Sequence, residues 1–417
     1  MSRPASSAAI GAAVDALGAG PLDEAGLARH VAPLFARMRA AAGDGIYLAN
    51  HSLGRPPDAM EDDVREGLAA WYARMGGAWD AWLAECDAYR ARLAALIGAP
   101  RPDSIVPKTS AGQGLRAILN TYDGVPRVVA TRGEFDSLDV ILREYARRGR
   151  IALAFVEARD DGRYAEDDIV AQVRAGCDLL VVSEVVFNTG QRLTALPALV
   201  HAAHAAGARV LVDVYHSVGA LPVDVAATNA DFAVGGAYKY LRGGPGAAFL
   251  YLHPRHLDGS LRTLDIGWFA KRDRFAYRRP EPPLLEPGGD AFLESTPPVL
   301  TYYQARAGQV LLQALGAGRL RAYSLGQLRH LVAGLRGAGF DVRGGTDDHG
   351  AFATVRHDAA EALAAGLREA GVTVDARGPW LRLCPDVVTT RAELDIAVER
   401  LARCAAAAKR GATPASA

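Results

Sequence analysis

Between residues 100 and 255, short β-branched runs alternate with helical patterns. This alternation restricts the chain to a mostly parallel sheet covered by helices. Strand-like runs fall at 128–131, 152–156, 178–183, 210–213, 232–234 and 247–252, and helical patterns at 137–148 and 197–206. In sheets of this kind, ligands gather beyond the carboxyl ends of the strands. Thr131, Ser183, Asp213 and Lys239 all fall near such ends, so the pattern itself points to one edge of the sheet as the site.

The rest of the chain divides around that sheet. With 417 residues, half of them hydrophobic, the sequence exceeds one ordinary core and predicts a large α/β domain with a smaller partner. Residues 256–297 are rich in Pro, Arg and aromatics and read as a long connection, which is often functional. A helix is expected over 298–315. An α+β pattern follows, with helices at 320–338, 359–370 and 391–407 and strands at 340–342, 351–355, 372–374 and 380–383. The expected division is an N-terminal arm (1–50), a large domain (51–297), a linking helix with a small α+β domain (298–410), and a disordered tail (411–417).

Lys plus Arg (47) equals Asp plus Glu (47), so no basic field is available for nucleic acid. No apolar run reaches membrane-spanning length, and the first twenty or so residues lack a signal-peptide core. The four cysteines form no Cys-x-x-Cys pair, which predicts neither a metal site nor a disulfide framework and suits a reducing cytoplasm.

The chemistry concentrates in two adjacent segments. Asp213 ends one strand and is followed by Val-Tyr-His216. Lys239 follows the next strand, between Tyr238 and Tyr240, and leads into the turn Gly243-Gly-Pro-Gly246. An acid at one strand end and a lysine after the next suit pyridoxal 5'-phosphate (PLP). The lysine bonds the cofactor's aldehyde carbon, and the acid keeps its ring nitrogen protonated. Alone, the lysine would be a surface residue and the aspartate a helix cap; together with the glycine turn they make a site.

Nine elements in order resemble the kynureninase-type members of aminotransferase class V, PLP enzymes of fold type I. They are Tyr47-Leu-Ala-Asn-His-Ser-Leu-Gly54, the Trp71–Trp79 segment with the run at 93–99, Lys108-Thr-Ser-Ala111, Glu134-Phe-Asp-Ser137, Phe187-Asn-Thr-Gly-Gln191, Asp213–Gly219, Tyr238-Lys-Tyr240, Gly267-Trp-Phe269 and Ser295-Thr-Pro-Pro298. The resemblance runs from about Tyr47 to the end. It implies a seven-stranded, mostly parallel sheet with a smaller C-terminal domain. It also implies catalytic roles for Lys239, Asp213 and Tyr238. Cofactor contacts are implied for Thr109, Ser110, Phe135, Ser183, His216, Trp268 and Thr296, and substrate contacts for Arg382 and Ser52. Backbone N–H groups at the helix after Ser110 suit a phosphate, and a guanidinium fork at Arg382 suits an α-carboxylate. Thr296 matches a position that reaches across a dimer interface, so a homodimer with shared sites is implied.

Three positions depart from the family pattern. Leu138 stands where the family has Asp, the Trp71–Trp79 segment lacks a pocket histidine, and His51 precedes Ser-Leu-Gly with Asn50 displaced by one. The implied reaction is hydrolytic Cβ–Cγ cleavage of kynurenine or 3-hydroxykynurenine, yielding anthranilate (or its hydroxy form) and alanine. A related β-lyase, C–S lyase or aminotransferase reaction is the alternative. A non-catalytic scaffold is a third reading, opposed by the joint presence of Lys239, Asp213 and Arg382.

Overall fold

The computed structural model describes residues 5–411. Thirteen strands are numbered in chain order: β1 (Ile46–Tyr47), β2 (Ile105–Lys108), β3 (Arg127–Thr131), β4 (Ala152–Val156), β5 (Leu179–Ser183), β6 (Arg209–Asp213), β7 (Phe232–Gly236), β8 (Ala248–Leu252), β9 (Val342–Arg343), β10 (Ala353–Arg356), β11 (Val372–Thr373), β12 (Asp375–Arg377) and β13 (Trp380–Leu383). The central sheet has seven strands in the order β2-β8-β7-β6-β5-β3-β4. All run one way except β8, which is antiparallel to both neighbours.

The expected α/β architecture is therefore present, with β2 as a strand the periodicity did not mark. Its Pro107 cannot donate to a ladder, and β2 accommodates it by lying at the sheet edge. Strands β5, β7 and β8 are buried throughout, as expected of a sheet covered on both faces. One face packs a core that includes Leu180, Val182, Val210 and Val212; the other packs Leu179, Val181, Leu211 and Val234. Successive side chains alternate between the two.

Helix Val299–Leu315 packs on helices Ala59–Arg74 and Trp79–Leu96. Within it Arg306, almost fully buried, bonds Asp63, Glu66 and Glu85. The C-terminal unit holds a four-stranded antiparallel sheet in the order β12-β13-β10-β9, covered by helices Ala317–Gly337, Ala360–Glu369 and Arg391–Gly411.

Two details differ from the sequence reading. The run at 372–374 does not join that sheet: β11 instead pairs in parallel with β1, tying the N-terminal segment to the C-terminal unit. β12, unmarked by the sequence, forms a hairpin with β13. Of the expected disordered tail at 411–417, Gly411 instead ends helix Arg391–Gly411, and the rest lies outside the described residues.

Candidate active site

Register across the sheet assembles the site. Ser183 pairs with Asp213, and Asp213 with Val234, while Lys108 pairs with Ala248 and Ala248 with Gly236. The carboxyl ends of β2, β5, β6 and β7 thus lie along one edge. Thr109 and Ser110 follow directly after β2, and Tyr238 and Lys239 follow β7 after one intervening residue, Ala237.

Lys239 is 4% exposed, and its Nζ lies 2.8 Å from His216 Nε2. Three aromatic rings surround the amine: Phe135 and Tyr215 each with centroid at 5.2 Å, and Tyr238 at 5.6 Å. Burial is the main reason the ammonium is disfavoured, bringing the Lys239 pKa down to about 7, with Asp213 opposing. Burial likewise lowers His216 well below the ordinary imidazole range, so the ring beside the amine is neutral. Asp213 accepts the Tyr215 amide at 2.8 Å, and burial lifts its pKa to about 6.

The loop carrying the lysine is gripped from two sides. Gly54 N donates to Tyr238 O at 2.8 Å, and a Cβ on Gly54 would fall 1.9 Å from the Lys239 carbonyl oxygen. A Cβ on Gly308 would fall 2.0 Å from the Leu241 carbonyl oxygen. Arg242, at φ +58°, ends the loop and places its guanidinium on the buried carboxylate of Asp386. Ser52 lies in the turn that presents Gly54, its amide bonded to Ala49 O.

The remaining expected residues fall into three groups. Ser110 caps helix Ala111–Leu119 by accepting from Gln113 N, while the Thr109 hydroxyl bonds Gln113 Oε1; the other N–H groups of that first turn have no intrahelical acceptor. Trp268 Nε1 donates to Thr296 Oγ1 at 3.2 Å, bringing these two together on the long connection. The Ser183 hydroxyl is taken by Glu134 at 2.6 Å, and Glu134 also accepts from Thr131.

Arg382, on β13, is 3% exposed and does not stand free. Its Nε and Nη2 donate to the two oxygens of Asp375 at 2.8 and 2.6 Å, and its Nη1 to the Phe187 carbonyl. Phe187 in turn packs edge-on against Phe135, with ring centroids 5.5 Å apart. Phe352 packs beside Arg382, His216 and His51. The arginine and the lysine therefore share one aromatic wall.

Asp375, Glu134, Tyr215, Phe187 and Phe352 belong to this neighbourhood without having been singled out as site residues. Glu134 and Phe187 stood inside recognised motifs, whereas Asp375 and Phe352 carried no sequence signal. Leu138, where the family has Asp, is fully buried in the core, so its side chain packs the helix rather than facing the site.

This donor set fits PLP. A buried amine with its pKa lowered suits an aldehyde, a buried acid suits a ring nitrogen, and a hydroxyl-flanked helix start suits a phosphate. His216 Nδ1 is buried and has no hydrogen-bond partner among the described residues.

Fold and site together define a fold type I PLP enzyme. A sequence model described as Aminotransferase class-V matches residues 66–379, and the chain belongs to that family. Within it the chain is of the kynureninase type. It is 30% identical to a protein named Kynureninase from Deinococcus radiodurans over 354 residues, covering 81% of this chain and 84% of that protein. It is 29% identical to one from Geobacillus thermodenitrificans, covering 84% and 86%. Among solved structures, the cysteine desulfurase CsdA from Escherichia coli superposes with a TM-score of 0.76 at 16% identity, covering 93% of this chain and all of that one.

Proposed function

We propose that this protein hydrolyses the Cβ–Cγ bond of L-kynurenine or its 3-hydroxy form, releasing anthranilate or 3-hydroxyanthranilate together with L-alanine. The observation that carries the reading is the buried Lys239 amine, set among Asp213, His216 and Phe135, on a chain whose curated relatives are named Kynureninase. When bound, PLP supplies an electron sink that stabilises negative charge at the substrate's α-carbon.

The chain's residues divide the remaining work. Lys239 would hold PLP through its aldehyde carbon, and its amine would move the proton at the substrate's Cα. Its pKa of about 7 keeps an unprotonated fraction available at neutral pH. Asp213 would pair with the ring nitrogen and Phe135 would stack on the ring, with His216 and Ser183 beside it. Thr109, Ser110, Tyr238 and Trp268 would contact the phosphate end, and Tyr238 would also donate to the oxygen that gains charge as water adds to the γ-carbonyl. Arg382 takes the α-carboxylate, with Ser52 beside the substrate. Residues 51–297 hold the cofactor, and residues 298–410 supply the arginine.

The reading includes a homodimer with shared sites, in which Thr296 reaches the neighbouring subunit's cofactor, and a cytoplasmic setting. Free thiols at all four cysteines are consistent with that setting. Among the described residues no helix is long and apolar enough to cross a membrane.

The test is a substrate panel with products identified by mass: kynurenine, 3-hydroxykynurenine, cysteine, cysteine sulfinate and alanine with a keto-acid acceptor. Anthranilate or its hydroxy form with alanine, from the first two alone, supports the reading. Turnover confined to the sulfur substrates would move the assignment to a C–S lyase, and transfer from alanine alone to an aminotransferase.

A further inference from the structure

The arginine proposed to receive the substrate's carboxylate already holds a carboxylate of its own chain. Asp375 and Arg382 are directly opposed across the β12–β13 hairpin, so the strand register itself builds the pair. Asp375 covers the Nε–Nη2 edge of the guanidinium with both oxygens, and the Phe187 carbonyl takes one hydrogen of Nη1. An arginine has five N–H donors. Three are committed within the chain, leaving one on each terminal nitrogen.

Asp375 is fixed from its other side as well. His51 Nε2 lies 2.9 Å from Asp375 Oδ1, the same oxygen that accepts Arg382 Nε. His51 is fully buried and stacks on Phe352 with centroids 4.9 Å apart. Its Nε2–H faces an ionised carboxylate and must donate. The chain His51–Asp375–Arg382 therefore locks the guanidinium plane, and the ring that anchors it is the histidine standing where the family has Asn.

We infer that Asp375, held by His51, is a positioning residue that fixes the orientation of Arg382 so that the arginine's two uncommitted N–H donors receive the substrate's α-carboxylate. An unrestrained arginine would lose side-chain freedom on capturing a ligand. Here that loss is taken in folding, so the ligand meets a preorganised fork. The inference rests on the assignment of Arg382 to the carboxylate made above.

The test compares L-alanine with L-alaninamide, titrated into the PLP-loaded enzyme and read by the change in cofactor absorbance. The ratio of the two affinities isolates recognition of the carboxylate from loading and folding. Asp375→Asn is expected to lower the acid-over-amide preference about tenfold. Arg382→Lys is expected to lower it at least as much, and the double variant no further than Arg382→Lys alone. His51→Gln should shift the ratio in the same direction by less, and it decides the matter if Asp375→Asn fails to load cofactor.

An unchanged ratio in Asp375→Asn would overturn the inference. So would a raised ratio, which would make Asp375 a competitor for the fork, or losses that add in the double variant. If Arg382→Lys leaves the ratio unaltered, the carboxylate assignment falls and this inference with it. If Arg382→Lys collapses the ratio and Asp375→Asn does not, only the role of Asp375 falls.

Discussion

The amine of Lys239 lies 2.8 Å from Nε2 of His216, and both side chains are buried. Neither group gains a counter-charge from the other. Burial lowers both pKa values, and a neutral imidazole is left to accept from the amine or to stand beside it. Burial thus leaves a fraction of the lysine unprotonated near pH 7, where an exposed lysine would be charged.

That state has a measurable sign. The folded-state pKa of Lys239 is about 7, against 10.5 in the unfolded chain. Between these values the unfolded chain binds more protons, so stability of the cofactor-free protein should rise as pH increases through this window. Lys239→Met should flatten the dependence and stabilise the cofactor-free protein below pH 7 by on the order of a few kcal/mol. Urea midpoints at several pH values check this, and the rate of cofactor uptake by the wild-type protein should follow an apparent pKa near 7.

Glu134 titrates in the opposite sense. Burial raises its pKa from 4.5 to about 7, with Ser183 and Thr131 opposing. The folded chain then binds the extra proton, so this group's contribution is complete below pH 4.5 and is lost as pH rises through 7. Glu134→Gln keeps the hydrogen-bonding shape without the charge and should remove that slope. Glu134→Ala should cost about 1–3 kcal/mol by stranding two buried hydroxyls, as read from denaturant midpoints.

Gly54→Ala places a methyl carbon against the Lys239 carbonyl oxygen, backbone that cannot rotate away. The lysine loop must shift, at a cost of about 1–3 kcal/mol. The expected result is a protein that folds but loads PLP at least tenfold more weakly, measured by cofactor absorbance after dialysis.

Asp386→Ala leaves the Arg242 guanidinium buried without its carboxylate. Removing one partner of a buried pair costs about 3–5 kcal/mol. Arg242 closes the lysine loop, so cofactor affinity should fall together with the unfolding midpoint. Asp386→Glu should recover part of both.

Much of this was legible in the sequence because it is local. Strands β3 to β8 announce themselves by short apolar runs, β-branched in β3, β5 and β6, and the ends of β5 and β6 place Ser183 and Asp213 without any knowledge of tertiary structure. β2 did not, because an edge strand of four residues containing proline has no periodicity to detect. β12 is shorter still, and with it Asp375 was invisible: its meaning comes only from lying opposite Arg382 in the hairpin. The Ser183 and Thr109 hydroxyls illustrate the same limit. Sequence placed both near the site, but only packing reveals that Glu134 and Gln113 take them.

The most direct measurement of the proposed chemistry follows oxygen. Kynurenine turned over by the PLP-loaded enzyme in 18O-water should give anthranilate carrying one labelled oxygen in its carboxylate, and an equal amount of alanine without label. Lys239→Ala should give neither. Alanine without anthranilate, anthranilate without label, or no turnover of either kynurenine or its 3-hydroxy form by wild-type enzyme with bound cofactor would contradict hydrolysis at the γ-carbonyl.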